Sequence, residues 1–273
     1  MKIALIDNGS LEAAAHEGLR TAALAIGEKA QVRVEAVSWK HSNRIPPESL
    51  QRGAAHTLAP WVRAQVATGE REFIFVPFFI SPQGAIGSSL RRDLEELQGD
   101  TDGFEFTFTD GLAVANALPA IVADRIRESI GSLELKRPAV VVVDHGGPSR
   151  NSADIRDQVA EAVRIGLGET IGELSAASME SPDGPEFGFN LPLLDDVLSQ
   201  PGFDQGDVLI APLFLSPGRH AGPKGDLARI ARAAEKRKAG LRCHFTPLVG
   251  THPETIETLA AALGRALRVG THS

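Results

Sequence analysis

"APLFLSPGRH", residues 211–220, reads as the end of a buried strand that runs into a Pro/Gly loop carrying a histidine. The same chain holds a counterpart. "VPFFISPQGA", residues 76–85, shares Pro77/Pro212, Phe79/Phe214, Ser81/Ser216 and Pro82/Pro217 with it. Elsewhere "IDNGS" (6–10) lines up with "VDHGG" (143–147), and "FTFT" (106–109) with "CHFT" (243–246). The offset stays between 135 and 137 residues across all three pairs. A constant offset over separated motifs marks an internal duplication, and a period this long makes each copy a small domain rather than a solenoid repeat. The join falls near "SLELKRPA", residues 132–139, which gives one copy over 1–135 and a second over 136–273.

Short apolar runs alternate with amphipathic stretches in both copies. The expected strands are Ile3–Asp7, Gln31–Val37, Glu72–Pro77 and Phe104–Thr109, then Ala139–Asp144, Gly172–Met179, Asp207–Pro212 and Arg242–Pro247. Between them lie helical patterns such as "EAAAHEGLRTAALAIG" (12–27) and "SADIRDQVAEAVRIGLG" (152–168), each ending near a glycine. Strand alternating with helix predicts parallel sheets covered on both faces. The fold class is therefore α/β, two duplicated flavodoxin-like doubly wound domains. In such sheets ligands sit beyond the carboxyl ends of the strands, where the strand order reverses.

Composition narrows the function. Of 273 residues 42% are hydrophobic, enough to fill a core without covalent staples. The net charge is −7, with 14 basic and 18 acidic residues before Arg137 and 14 and 17 from there on. Neither half carries a basic stripe for nucleic acid. The lone Cys243 excludes an internal disulfide framework and a CxxC metal site, and it reads as a small residue filling a strand. The apolar start of "MKIALIDNGS" is too short for a signal peptide, and no run reaches the roughly 20 residues of a spanning helix, so the expected location is the cytoplasm.

The chemistry gathers at one strand edge of the second copy. "VVVDHGGPSR" (141–150) places His145 at the carboxyl end of the first strand, and "APLFLSPGRH" places His220 just past the third. First and third strands are neighbours in a doubly wound sheet, so the two rings are expected to face one another. "SAASMESPDG" brings Glu180 to the same edge from the second strand. Two imidazoles and a carboxylate suit a borderline divalent metal with open positions, or a base that takes protons from a ligand. Each also has a plainer reading: loop histidines are often solvated or capping, Glu180 can be a surface acid, and the glycines can serve only a tight turn. Asn151 or Ser152 reads as the N-cap of the next helix. Asp144 is a candidate acceptor orienting His145, or a buried cap.

The first copy is an internal control. It has Asn8 where the second has His145, Ala85 where it has His220, and Lys40 where it has Glu180. The scaffold persists while the chemical groups are gone, which points to a single centre, carried by the second copy and roofed by the first. Of the other histidines, His16 and His56 lie in helical patterns and are expected at the surface, and His244 within a strand. His41 and His252 lie in loops at the strand ends, and His272 in the tail.

These residues resemble a known family. "VVVDHGG" followed by "PLFLSPGRH" is similar to the CbiX-type sirohydrochlorin chelatases, class II tetrapyrrole chelatases that insert cobalt or ferrous iron. The resemblance is clearest over residues 139–268, and the degenerate copy extends it over most of the chain. It implies a duplicated chelatase fold and a lyase-type metal chelatase of cobalamin or siroheme biosynthesis. His145 matches the family's first-strand histidine, His220 the one in its Gly-Arg-His loop, and Glu180 an acidic residue after the second strand. Together they would hold the metal and take up pyrrole protons. The metal would be substrate, with no tightly bound cofactor. The partners implied are the tetrapyrrole and the ion, without nucleic acid or membrane, for a monomer or homodimer.

The chain departs from the pattern in having Asp-His-Gly-Gly for Gly-His-Gly-Ser, in carrying its His pair in the second copy, and in a longer insertion, "SPDGPEFGFNLPLLDD" (181–196). Arg219, Arg150 and Lys224 flank the two His loops, where they pair with substrate carboxylates or are simply solvated. Phe187 and Phe189 in the insertion cover the macrocycle or pack the loop down.

Other classes fit less well. A histidine phosphatase needs an Arg beside its strand-end His, where this chain has Asp144. A Gly-x-Ser-x-Gly elbow, a Walker loop and a Gly-x-Gly-x-x-Gly turn are absent. The remaining rival is a non-catalytic metal or tetrapyrrole binder on the same scaffold.

Overall fold

A computed structural model describes residues 1–80, 85–114 and 116–270, apart from the side chains of 85, 86, 269 and 270. The Ser81 and Pro82 matches, the Ala85 side chain and His272 lie outside the described residues. The strands are β1 Lys2–Asp7, β2 Glu35–Ser38, β3 His56–Thr57, β4 Glu72–Pro77 and β5 Glu105–Phe108, then β6 Ala139–Asp144, β7 Leu174–Ser178, β8 Gly206–Pro212 and β9 Leu241–Phe245. The helices are α1 Ala13–Ala30, α2 Leu58–Ala67, α3 Ala85–Gly99, α4 Leu118–Ser132, α5 Arg150–Leu167, the single turn α6 Leu194–Val197, α7 Asp226–Arg237 and α8 Pro253–Gly270. All eight expected strands form. The two-residue β3 was not anticipated, because two residues carry no periodicity to read.

Both sheets are parallel. Their orders are β3-β2-β1-β4-β5 and β7-β6-β8-β9, so each reverses direction beside its first strand, as a doubly wound sheet does. In the second sheet β6 is central, with Asp144 opposite Ser178 of β7 and Val143 opposite Pro212 of β8. Val140 to Val143 are all fully buried. Val141 and Val143 pack with Ile210, Leu194, Val197, Leu227 and Ala231 beneath α6 and α7. Alternate residues face α5 on the other side. Covering both faces is what turns the alternating pattern into a continuous apolar run. Each buried Val is worth about 1.5–3 kcal/mol.

The compact units are Met1–Ala115 with Pro253–Ser273, and Asn116–His252. The 135/136 boundary read from the sequence divides the duplication, and the spatial division is cut differently. α4 follows the first sheet in sequence but packs on α5 and β8, while α8, last in sequence, packs on α1 and β4. Each sheet takes one covering helix from the other copy's stretch of chain.

Backbone hydrogen bonds repeat in both units. Trp39 N–H donates to Asp7 O (2.7 Å) as Met179 N–H does to Asp144 O (2.9 Å), and Lys40 N–H donates to Asn8 O (3.2 Å) as Glu180 N–H does to His145 O (3.1 Å). These bonds set Asn8 opposite His145 and Lys40 opposite Glu180, as the sequence alignment has them.

Candidate active site

The second unit brings His145, His220 and Glu180 to the carboxyl edge of its sheet. The chain turns sharply after β6 because Gly146 adopts φ +79°. A Cβ at Gly146 would lie 1.8 Å from the Glu180 carbonyl oxygen, so only glycine lets the turn lie flush on the end of β7. That contact, with the Glu180 N–H bond to His145 O, puts the two side chains at one point: His145 Nε2 is 3.7 Å from Glu180 Oε1. The His145 and His220 rings meet edge to face, centroids 4.6 Å apart at 89°. The Phe214 ring lies 6.4 Å from that of His145.

Both imidazoles are held through Nδ1. His145 Nδ1 lies 2.7 Å from the Gly146 carbonyl oxygen, which only accepts, so Nδ1 carries the proton. His220 Nδ1 lies 2.7 Å from Asp226 Oδ2. The side chains of His145 and Glu180 are 45% and 59% exposed, that of His220 29%. A ligand entering from solvent therefore meets all three. Among the described residues no three His, Cys, Asp or Glu side chains stand arranged as a ready ion cage. The two close pairs share His145 instead.

Asp144 does not orient His145. Its buried carboxylate turns inward, accepting from the Ser178 hydroxyl at 2.7 Å with the Arg156 guanidinium at 3.6 Å. Burial pushes its pKa up, opposed by the Ser178 bond and the Arg156 charge. Arg156, from α5, is 1% exposed and also donates to the Ser178 hydroxyl (2.5 Å) and the Phe189 carbonyl (3.0 Å). It ties the strand ends to the 181–196 insertion. Asn190 of the insertion is buried and clamps Gly147, accepting from its N–H (3.2 Å) and donating to its carbonyl (2.9 Å). The sequence shows an Arg in an amphipathic helix and an Asn in a loop, and nothing local distinguishes these from surface residues. Asp226, six residues after His220 at the start of α7, was also missed. The signal available was an acid following a Pro/Gly loop.

The flanking cations are placed as follows. Arg150 opens α5 and stacks its guanidinium over Phe189 at 4.9 Å. Arg219 is 85% exposed, with Nε 3.8 Å from Asp226. Lys224 is exposed. Phe187 and Phe189 pack on each other at 6.2 Å. The N-cap of α5 is Ser149 rather than Asn151 or Ser152, because the helix begins at Arg150.

Two other expectations change. His16, expected at the surface, is 1% exposed: it faces Ser38 (Nδ1 to Oγ 3.4 Å), and burial lowers its pKa to about 4. His252 is buried with Nε2 4.0 Å from Asp124 of α4. His244 lies in β9 and bonds Asp207 at 2.9 Å, and His56, expected in a helix, lies instead in β3 and is exposed. Cys243 is half-buried, its thiol pushed up to about 12 by burial and by Glu235. In the first unit Lys40 turns to Asp93 (3.4 Å) and covers Trp39 at 3.8 Å.

Fold and site together define a class: a duplicated doubly wound α/β protein of the chelatase fold, with its histidines at one strand edge. Residues 139–266 match the model of the CbiX family. No curated protein matches the chain in sequence. Among solved structures it is similar to SirB from Bacillus subtilis with Fe3+ (TM-score 0.65, 14% identity, 99% of this chain and 98% of that one). It is similar also to CbiX, described as the terminal enzyme of siroheme biosynthesis in denitrifying bacteria (0.65, 15%, 97% and 99%). A third is the sirohydrochlorin chelatase SirB from B. subtilis subspecies spizizenii in complex with cobalt (0.63, 14%, 96% and 94%). At these identities the likeness is one of fold. Among the described residues no helix is long and apolar enough to cross a membrane.

Proposed function

We propose that this protein is a chelatase that inserts a divalent metal, cobalt or ferrous iron, into a sirohydrochlorin-type tetrapyrrole, on the route to cobalamin or siroheme. The observation that carries the reading is the His145–His220 contact at 4.6 Å on the open edge of a CbiX-family sheet, with Glu180 beside it. Two of the fold relatives, one solved with Fe3+ and one with cobalt, support iron or cobalt as the metal.

Insertion exchanges one M2+ for two pyrrole N–H protons: the metal–nitrogen bonds form as the N–H bonds break, and two protons leave. The residues suit both halves of that exchange. A neutral imidazole, with a pKa of about 6.5, can hold a borderline metal or accept a proton near pH 7. The cargo must also leave, and a sparse, open ligand set releases it more readily than a closed four-ligand cage. His145 and His220 hold the metal and accept pyrrole protons between them, and Glu180 assists as third ligand or proton acceptor. Arg219, Arg150 and Lys224 pair with the carboxylates of the macrocycle.

The test is a spectroscopic insertion assay with sirohydrochlorin and Co2+ or Fe2+. Wild type should turn over above background, and folded His145→Ala and His220→Ala should lose that rate. A wild-type rate equal to background with both metals would overturn the chelatase reading and favour a metal or tetrapyrrole binder.

A further inference from the structure

We propose that Asp226 is the positioning residue of this site: its carboxylate holds the proton on His220 Nδ1 and so keeps Nε2 as the unprotonated, metal-facing nitrogen. The inference rests on reading His145 and His220 as the metal-holding pair.

The contact is built into the backbone. The loop from Arg219 to Asp226 closes on itself: Asp226 N–H donates to Arg219 O and Leu227 N–H to His220 O, both at 3.1 Å. Gly225 makes the closure possible, since a Cβ there would lie 2.6 Å from the His220 carbonyl oxygen. Backbone bonds thus fix where α7 begins relative to His220, and the 2.7 Å side-chain bond follows from that register. The carboxylate is also kept in place. Arg229, one turn along α7, bonds Oδ1, and Arg219 lies 3.8 Å from Oδ2.

Facing Arg229 and Arg219, the Asp226 carboxylate is an acceptor only, so the His220 ring nitrogen that bonds it must be a donating Nδ1–H. A histidine whose Nδ1–H is held this way presents Nε2 as the lone pair, and the outer carboxylate both fixes the ring and raises its basicity. His145 reaches the same state through the Gly146 carbonyl. Different acceptors therefore select the same tautomer in both rings. A purely structural reading exists, because an acid in a first turn also favours the helix dipole. The two readings part at the tautomer.

The experiment is long-range 1H–15N NMR on the full chain labelled with [15N]histidine, at pH 8 and without metal, with the His220 signals assigned by their loss in His220→Gln. A Co2+ titration of each variant follows, read by calorimetry. Wild-type His220 should be the Nδ1–H tautomer. In Asp226→Asn the amide can itself donate to Nδ1, so the ring should shift toward Nε2–H and Co2+ affinity should fall about tenfold to a hundredfold. Asp226→Glu, which restores a carboxylate, should return the tautomer and part of the affinity.

An Nε2–H wild type would overturn the proposal with no variant needed, and so would a folded Asp226→Asn with unchanged tautomer and affinity. The chelatase reading fails separately: no insertion by wild type, with the tautomer and the Co2+ response as stated, sinks the activity and leaves the positioning role standing.

Discussion

The carbonyl oxygen of Glu180 fills the space in which a side chain on Gly146 would begin, 1.8 Å from where its Cβ would sit. That close approach couples the end of β7 to the turn after β6, and so Glu180 to His145. Gly146→Ala should break it. The left-handed backbone alone costs an alanine roughly 1–2 kcal/mol, and the clash adds to that. We expect lower stability in urea and an insertion rate down by about tenfold or more, because the two side chains part. Unchanged stability would mean the turn re-forms elsewhere and that the contact does not set the site.

Arg156 is the second hidden support. Its guanidinium lies against the buried Asp144, and Asp144 is the strand-end acid beneath His145. Arg156→Met should cost about 3–5 kcal/mol, since it leaves a buried charge unpaired. The pairing predicts a rescue: adding Asp144→Asn should recover most of the loss. Urea unfolding of the single and double variants measures the coupling, and strictly additive losses would contradict it.

Much of this was legible in the sequence, and what was not has a physical pattern. The four-valine run of β6 and the matched "SPGRH" and "SPQG" loops revealed strands and duplication, because burial on both faces leaves a period-free apolar run and repeats leave offsets. His145, Glu180 and His220 followed from topology, since strand order alone decides which ends are neighbours. Arg156, Asn190 and Asp226 were invisible because a buried polar residue looks like a surface one until its partner is known. His16 fell to the same ambiguity: its neutral ring fills a place facing Ser38 that an exposed histidine could equally have left empty. The exchange of α4 and α8 leaves no local signal, because either helix would suit either sheet by pattern.

Arg150, Arg219 and Lys224 make a kinetic prediction. They sit around the His loops without touching the His pair, so they should add to binding in ground and transition state alike. Each alanine variant should raise the KM for sirohydrochlorin up to about fivefold, the size of an exposed ion pair of 0.2–1 kcal/mol, with kcat nearly unchanged for Arg150 and Lys224, while Arg219 also faces Asp226. Added salt should shrink the difference. Arg150→Ala also removes the cap on Phe189, and its effect should be the largest. A fall in kcat with KM unchanged would place these residues in the chemistry instead.

The first unit predicts a stronger pH signature than the second. Asp7 occupies the place of Asp144, but among the described residues no guanidinium pairs with it. Its Oδ1 is buried without a partner, and burial raises its pKa from 3.8 to about 6 despite the Ser38 bond. A raised native pKa means that the folded state holds the proton more tightly. The stability from Asp7 is then fully present below pH 3.8 and is lost as pH rises through about 6. His16 acts in the opposite sense: its pKa is lowered to about 4, so its contribution is present above pH 6.5 and lost as pH falls through about 4. The two partly cancel in wild type, which is why the test is a difference. Asp7→Asn removes only the first contribution. Relative to wild type it should gain about 2.4 kcal/mol between pH 4 and pH 8, most of the free energy of a carboxyl moved from 3.8 to about 6. Asp144→Asn should change in the same sense but by less, because the Ser178 bond and the Arg156 charge oppose the burial that raises its pKa, and Arg156 keeps Asp157 as a partner. Urea unfolding at pH 4, 6 and 8 reads both, and parallel pH curves for wild type and Asp7→Asn would show that Asp7 is ionised in the folded protein throughout.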